Sequence, residues 1–293
     1  MDPADSRPAV IKKKPLAVRL LAQAARCLPN DHARTVFYLR LLAPVRRALR
    51  QFIFGFYRID HIYEVLRRVR RSYKGQFSIL EFGTAHGYAF TKMLYATRYL
   101  KMDQRVMVHA FDTFEGMPPA EDEKDEDQIA DDGWVEGQFA GQYEELDGYC
   151  RSRYVNYELH RGYFEDSITP EFLETLNTWK PVLVWIDCDY YSSTRTVMER
   201  LLPRLPNGCV IYFDDYELLN YGSRFTGEAR FVAELNAGKY GDNVELIPDP
   251  ALSLDSKRVY RFFRMNSDVQ YERVSAGLSG DEVRRRGNDS PLP

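Results

Sequence analysis

The sequence predicts an α/β fold: a mostly parallel sheet with an antiparallel edge strand, helices on both faces, and a helical extension at the N-terminus. Three observations carry this expectation. Short apolar runs alternate with helical stretches from Phe77 onward. Those runs are rich in Val, Ile, Leu and Phe, as strands covered on both faces are. The chemistry-bearing residues follow directly on the ends of the runs, where open sheets of this kind hold their ligands.

The expected strands are residues 77–82, 106–111, 155–160, 182–186 and 209–213, with helices over 88–100, 170–176 and 194–202 between them. A helix over 224–235 and strands over 244–247 and 258–263 would close the sheet edge. The boundaries expected are a basic helical extension (1–74), a sheet domain (75–266) and a polar, flexible tail (267–293).

Composition excludes several classes. At 293 residues and 44% hydrophobic, the chain can bury one large core. A net charge of -3 argues against a dedicated nucleic-acid binder. Charge is nevertheless uneven: residues 1–74 hold 17 Lys and Arg against 5 Asp and Glu, which leaves about -15 on the remainder. In this section Leu, Val and Ile recur at three- and four-residue intervals with Arg between them, including 16–21, 35–50 and 59–71. Solvated basic helices, or helices facing an acidic surface, are favoured over contact with anionic lipid. Cys27, Cys150, Cys188 and Cys209 form no CxxC pair and lie far apart, so neither zinc nor disulfides are indicated, and the compartment reads as cytoplasmic. No apolar run reaches the roughly 20 residues of a membrane span, and no signal peptide is evident. The acidic stretch 118–132 reads as a solvated loop able to cover a site.

The first strand runs into Glu81-Phe82-Gly83-Thr84-Ala85-His86-Gly87 and then a helix. The two glycines permit close approach to a ligand. The spacing is not the G-x-G-x-x-G of a dinucleotide site, and the preceding carboxylate disfavours a pyrophosphate. It suits a ligand with an ammonium group and a sulfonium. The second strand ends at Asp112-Thr113-Phe114-Glu115-Gly116, where an acid commonly accepts from ribose hydroxyls. For Asp112 alone, a turn-capping role is an equal alternative.

The strongest pattern is Ile186-Asp187-Cys188-Asp189-Tyr190 with Phe213-Asp214-Asp215-Tyr216. Four carboxylates follow buried strands expected to lie only about 5 Å apart. One Asp per loop could cap a helix. Four in adjacent loops would repel one another unless a hard cation such as Mg²⁺ held Asp187, Asp214 and Asp215 together. Asp189, turned to the same face as Asp187 by strand alternation, is the first candidate for a base. His86 is the second. Asn220, His109 and His160 carry no functional argument in the sequence.

These segments resemble the macrocin O-methyltransferase family. The resemblance rests on Glu81-Phe82-Gly83, Asp112-Thr113-Phe114-Glu115-Gly116-Met117-Pro118, Asp187-Cys188-Asp189-Tyr190-Tyr191-Ser192-Ser193-Thr194 and Phe213-Asp214-Asp215-Tyr216, in order across about residues 77–264. It implies a class I methyltransferase (Rossmann-like) fold and S-adenosyl-L-methionine as methyl donor. It further implies Glu81, Phe82, Gly83, Thr84, Gly87, Asp112, Thr113 and Asp187 about the cofactor, with Gly162, Tyr163 and Phe164 on its adenine side. Asp187, Asp214 and Asp215 would ligate the metal and Asp189 would be the base. The implied partner is a small-molecule or glycan acceptor with a free hydroxyl, and the implied assembly a homo-oligomer. Two alternatives stand beside it. A nicotinamide-dependent oxidoreductase lacks its glycine motif here, and a non-catalytic scaffold would have no use for the carboxylates.

Overall fold

In the computed structural model, the described residues are 59–120, 135–217, 222–250, 252–253 and 258–274. The chain divides into two units, Met1–Phe56 and Tyr57–Pro293, and the description below concerns the second. The expected helices at 16–21 and 35–50, Cys27, Asn220 and most of the acidic loop lie outside the described residues.

Seven strands form the main sheet: β2 (Gln76–Phe82), β3 (Val106–Asp112), β4 (Tyr157–Arg161), β5 (Trp179–Ile186), β6 (Val210–Phe213), β7 (Val244–Pro248) and β8 (Arg258–Arg264). Their order is β4-β3-β2-β5-β6-β8-β7. The first five are mutually parallel, and β8 runs antiparallel between β6 and the edge strand β7. The chain winds outward from β2 to β3 and β4, then returns to β5 on the other side of β2. The strand order therefore reverses between β2 and β5, the place where such sheets open a ligand crevice. All strands from the sequence are present, shifted by at most three residues at their ends.

Strand alternation divides the core in two. Phe77, Ile79, Val108, Leu183 and Trp185 face one layer, formed by α1 (Ile59–Ser72), α2 (Tyr88–Tyr99) and α3 (Tyr143–Arg151). Leu80, Phe82, Phe111, Val184 and Ile186 face the other. That layer contains α4 (Phe164–Ser167), α5 (Pro170–Thr175), α6 (Tyr191–Leu201) and α7 (Gly227–Asn236). Helix α3 was not expected; its only buried positions are Leu146 and Cys150, too few for a periodic stripe. Among the described residues no helix is long and apolar enough to cross a membrane.

Two segments assigned from sequence to extension and tail are packed against the sheet. In α1, Ile62, Val65, Leu66 and Val69 are all at most 5% exposed. Each such side chain contributes about 1.5–3 kcal/mol on burial, so the apolar stripe of this basic helix is core. Beyond Asn266, the short strand β9 (Glu272–Arg273) pairs antiparallel with β1 (Tyr73–Lys74). The Tyr271 hydroxyl donates to the Pro181 carbonyl, and the Lys180 ammonium to that of Gln270. Residues 275–293 lie outside the described residues.

Candidate active site

The parallel register brings four strand ends to one level. Phe82 pairs with Phe111 on one side and Ile186 on the other, and Ile186 with Phe213. The ladder continues one step into the loops. Gly83 N–H donates to Phe111 O (3.0 Å), Asp187 N–H to Phe82 O (2.9 Å) and Asp214 N–H to Ile186 O (3.0 Å). Every loop singled out in the sequence thus leaves the sheet side by side.

Gly83 shows why the first loop needs glycine. Its φ is +86°, and a Cβ there would lie 1.8 Å from the Asp187 carbonyl oxygen. Gly87, at φ +74°, precedes α2 and lies against the Leu146 side chain. The loop is further held by Asp112. One of its carboxylate oxygens accepts from Thr84 N–H (2.7 Å) and Ala85 N–H (2.8 Å), the other from Phe114 N–H (2.6 Å). Asp112 therefore fixes its own turn and the neighbouring loop at once. The first oxygen's two acceptor sites are filled, and the second retains one toward a ligand.

Between these loops lies a cleft with a cavity volume of about 360 Å³. Glu81, Gly83, Thr84, His86, Asp112 and Thr113 line one part of it. Tyr163, Phe164, Asp187, Asp189 and Asp215 also line it. Phe82, Gly87, Gly162 and Asp214 are not among its lining residues. The Phe82 ring is fully buried beneath the floor, stacked on Phe111 with centroids 4.8 Å apart. Gly162, at φ +129°, turns the chain from β4 into Tyr163. His86 is exposed at the mouth, its ring 6.0 Å from that of Tyr88. The segment after Asp112 folds back on itself: Met117 N–H donates to Gln138 O and Gly137 N–H to Met117 O, at 2.8 and 2.9 Å.

The aspartates converge. One carboxylate oxygen from each of Asp187, Asp214 and Asp215 lies within 4.8 Å of the others. Two of them accept from side chains of the strands that carry them. Trp185 Nε1 donates to Asp187 (3.4 Å), and the Tyr212 hydroxyl to Asp214 (3.0 Å). Those two donors are cross-strand neighbours whose rings stack at 3.7 Å. Asp215 is fixed through its backbone, which donates to Glu228 Oε2 (3.0 Å). Oxygen donors in this arrangement fit a hard divalent cation.

Asp189 is buried and has φ +61°. Strand β5 ends at Ile186, so this left-handed turn, rather than strand alternation, carries the Asp189 side chain to Asp215. Cys188 is buried, its Sγ 3.8 Å from Thr194 Oγ1. Burial first, then the nearby charges of Asp215 and Asp187, push the Asp189 carboxyl well above the usual carboxylate range.

Sequence reading missed Glu228. It is 1% exposed, and burial followed by the charges of Asp215 and Asp214 pushes its carboxyl far up as well. A clue was present: Glu228 falls in register with Phe231, Val232 and Leu235, the buried stripe of α7. A carboxylate on an apolar stripe needs a reason to be there.

The profile of the macrocin O-methyltransferase family (TylF) matches residues 44–238. The chain belongs to the macrocin O-methyltransferase family. Membership makes it an S-adenosylmethionine-dependent O-methyltransferase, and the sheet order above is that of a class I methyltransferase. Two solved structures share the fold. The O-methyltransferase NovP aligns with a TM-score of 0.53 at 19% identity, over 71% of this chain and 80% of that one. The calicheamicin methyltransferase CalS11 aligns at 0.52 and 19%, over 91% and 100%. No curated protein sequence matches the chain significantly.

Proposed function

We propose that this methyltransferase is divalent-metal-dependent, using Mg²⁺ or a relative, and acts on a hydroxyl of a sugar moiety or natural product. The observation that carries the reading is the meeting of Asp187, Asp214 and Asp215, of which Asp187 and Asp215 line the cleft. Like charges so close are stable only when compensated. Asp187, Asp214 and Asp215 would hold a divalent ion, whose positive charge would orient the acceptor hydroxyl and lower its pKa.

The chain's own residues would do the rest. Glu81, Gly83, Thr84, Asp112 and Thr113 hold the donor at the switch point, with Tyr163 and Phe164 beside its adenine. Asp189 takes the hydroxyl proton as the oxygen attacks the sulfonium methyl. The bound donor would supply the methyl group and leave as S-adenosylhomocysteine, and the hydroxyl would become a methyl ether. His86 stands at the mouth as the alternative base. The buried free thiols of Cys150, Cys188 and Cys209 fit a reducing, cytoplasmic setting. A small-molecule or glycan acceptor and a homo-oligomeric assembly complete the proposal.

The test is methyl transfer from labelled donor to a panel of glycosylated and phenolic acceptors, with and without chelator. Chelator is expected to stop turnover and Mg²⁺ to restore it. Asp214→Asn should abolish turnover while S-adenosylhomocysteine still binds calorimetrically. Full activity in excess chelator overturns the metal reading.

A further inference from the structure

A second cluster of metal-ligating side chains lies on the outer strands, apart from the aspartates. It consists of His109 on β3 with Glu158 and His160 on β4. The sheet builds it. His109 pairs directly with Glu158, and Phe111 with His160. Residues two apart in a strand share a face, so His109, Glu158 and His160 all project from the same side of adjoining strands. Two aromatic rings enclose them. Phe111 stacks on His160 at 4.2 Å, and Phe172 lies edge-on to both imidazoles, 5.1 Å from His109 and 5.3 Å from His160.

Three potential ligand atoms face one another. His109 Nδ1 is 3.1 Å from His160 Nε2 and 3.3 Å from Glu158 Oε2, and His160 Nε2 is 3.6 Å from the same oxygen. An ion bound tetrahedrally at about 2.0–2.1 Å holds its ligand atoms about 3.3–3.4 Å apart. The observed triangle is close to one face of that tetrahedron. Two imidazoles and one carboxylate are ligands suited to zinc rather than magnesium.

We propose that His109, Glu158 and His160 form a zinc-type transition-metal site with three protein ligands and a fourth, open position. Glu158 is 54% exposed and His160 20%, against 4% for His109, so the open position faces solvent. The site also has a consequence for the cleft. His160 is two residues from Gly162 and three from Tyr163, so an ion here pins the edge strand that delivers the Tyr163–Phe164 wall.

The test uses full-length protein, stripped of metal and then saturated with Mg²⁺ to occupy the aspartates. Zn²⁺ is titrated calorimetrically, and Co²⁺ is used as an absorbing substitute whose visible bands report four-coordination. One equivalent of Zn²⁺ is expected to bind. Glu158→Gln, at an exposed position that leaves the fold intact, should weaken it about 100-fold or more, since even outer partners of a metal ligand are worth 10–100-fold. His160→Gln should do the same, while Asp214→Asn retains the equivalent. Absence of Zn²⁺ binding by the wild-type protein, or binding lost in Asp214→Asn but kept in Glu158→Gln, overturns the proposal in favour of a proton-shared trio.

Discussion

Gly83 lies directly beneath the Asp187 carbonyl, with no space between them for a methyl group. This contact is where β2 and β5 part company. It sets the Gly83 loop against the backbone of Asp187, so a change in one is transmitted to the other.

Gly83→Ala should therefore damage both. A positive φ costs a non-glycine residue on the order of 1–3 kcal/mol, and the clash adds to it by displacing the Asp187 backbone. We expect a lower urea midpoint together with loss of S-adenosylhomocysteine binding by calorimetry. Wild-type affinity in the variant would show that the loop yields without disturbing the site.

Glu228 anchors Asp215 through the backbone N–H. Glu228→Ala removes that acceptor and should weaken the Mg²⁺ dependence of turnover by roughly 10–100-fold. Donor affinity should be unchanged. Glu228→Gln keeps an acceptor oxygen and should recover most of the loss. Equal behaviour of the two variants would assign Glu228 an electrostatic role instead.

Asp189→Asn keeps shape and burial but removes the proton acceptor. The rate should fall by about 10²–10⁴, the usual contribution of a general base, with half-saturation by Mg²⁺ little altered. Single-turnover transfer at saturating metal measures this directly. An unchanged rate would pass the role to His86, tested by His86→Ala.

His160 makes stability depend on pH. Its folded imidazole titrates at about 4 because of burial and the adjacent His109, whereas an unfolded one takes up its proton near 6.5. Between those values the unfolded chain binds more protons, so the folded state loses stability as pH falls through that window. The loss is at most about 3 kcal/mol. In chelator, urea unfolding of His160→Gln should show a shallower decline than wild type between pH 6.5 and 4. Parallel curves would place the acid sensitivity elsewhere.

Much of the fold was legible because its determinants are local. Residues 182–186 are apolar without interruption, and 77–82 and 106–111 are broken only by Ser78, Glu81 and His109; short runs of this kind suit strands covered on both faces. Asp187, Asp214 and Asp215 were legible for a related reason: all lie within two residues of the end of such a strand, so the sheet had to deliver them to one edge.

Other features came from contacts between segments distant in sequence. The apolar stripe of α1 looks the same whether it faces solvent, a partner or this core, and only packing against the sheet decided it. Asp112 could cap a turn or bind a ligand; its hydrogen bonds to Thr84 and Ala85 exist because β2 and β3 are neighbours. Glu228 comes to Asp215, and His109 to Glu158 and His160, across 13 and about 50 residues of chain. Sequence periodicity tells which face a side chain occupies. Which other face it meets is set by strand order and register, and these belong to the folded chain as a whole.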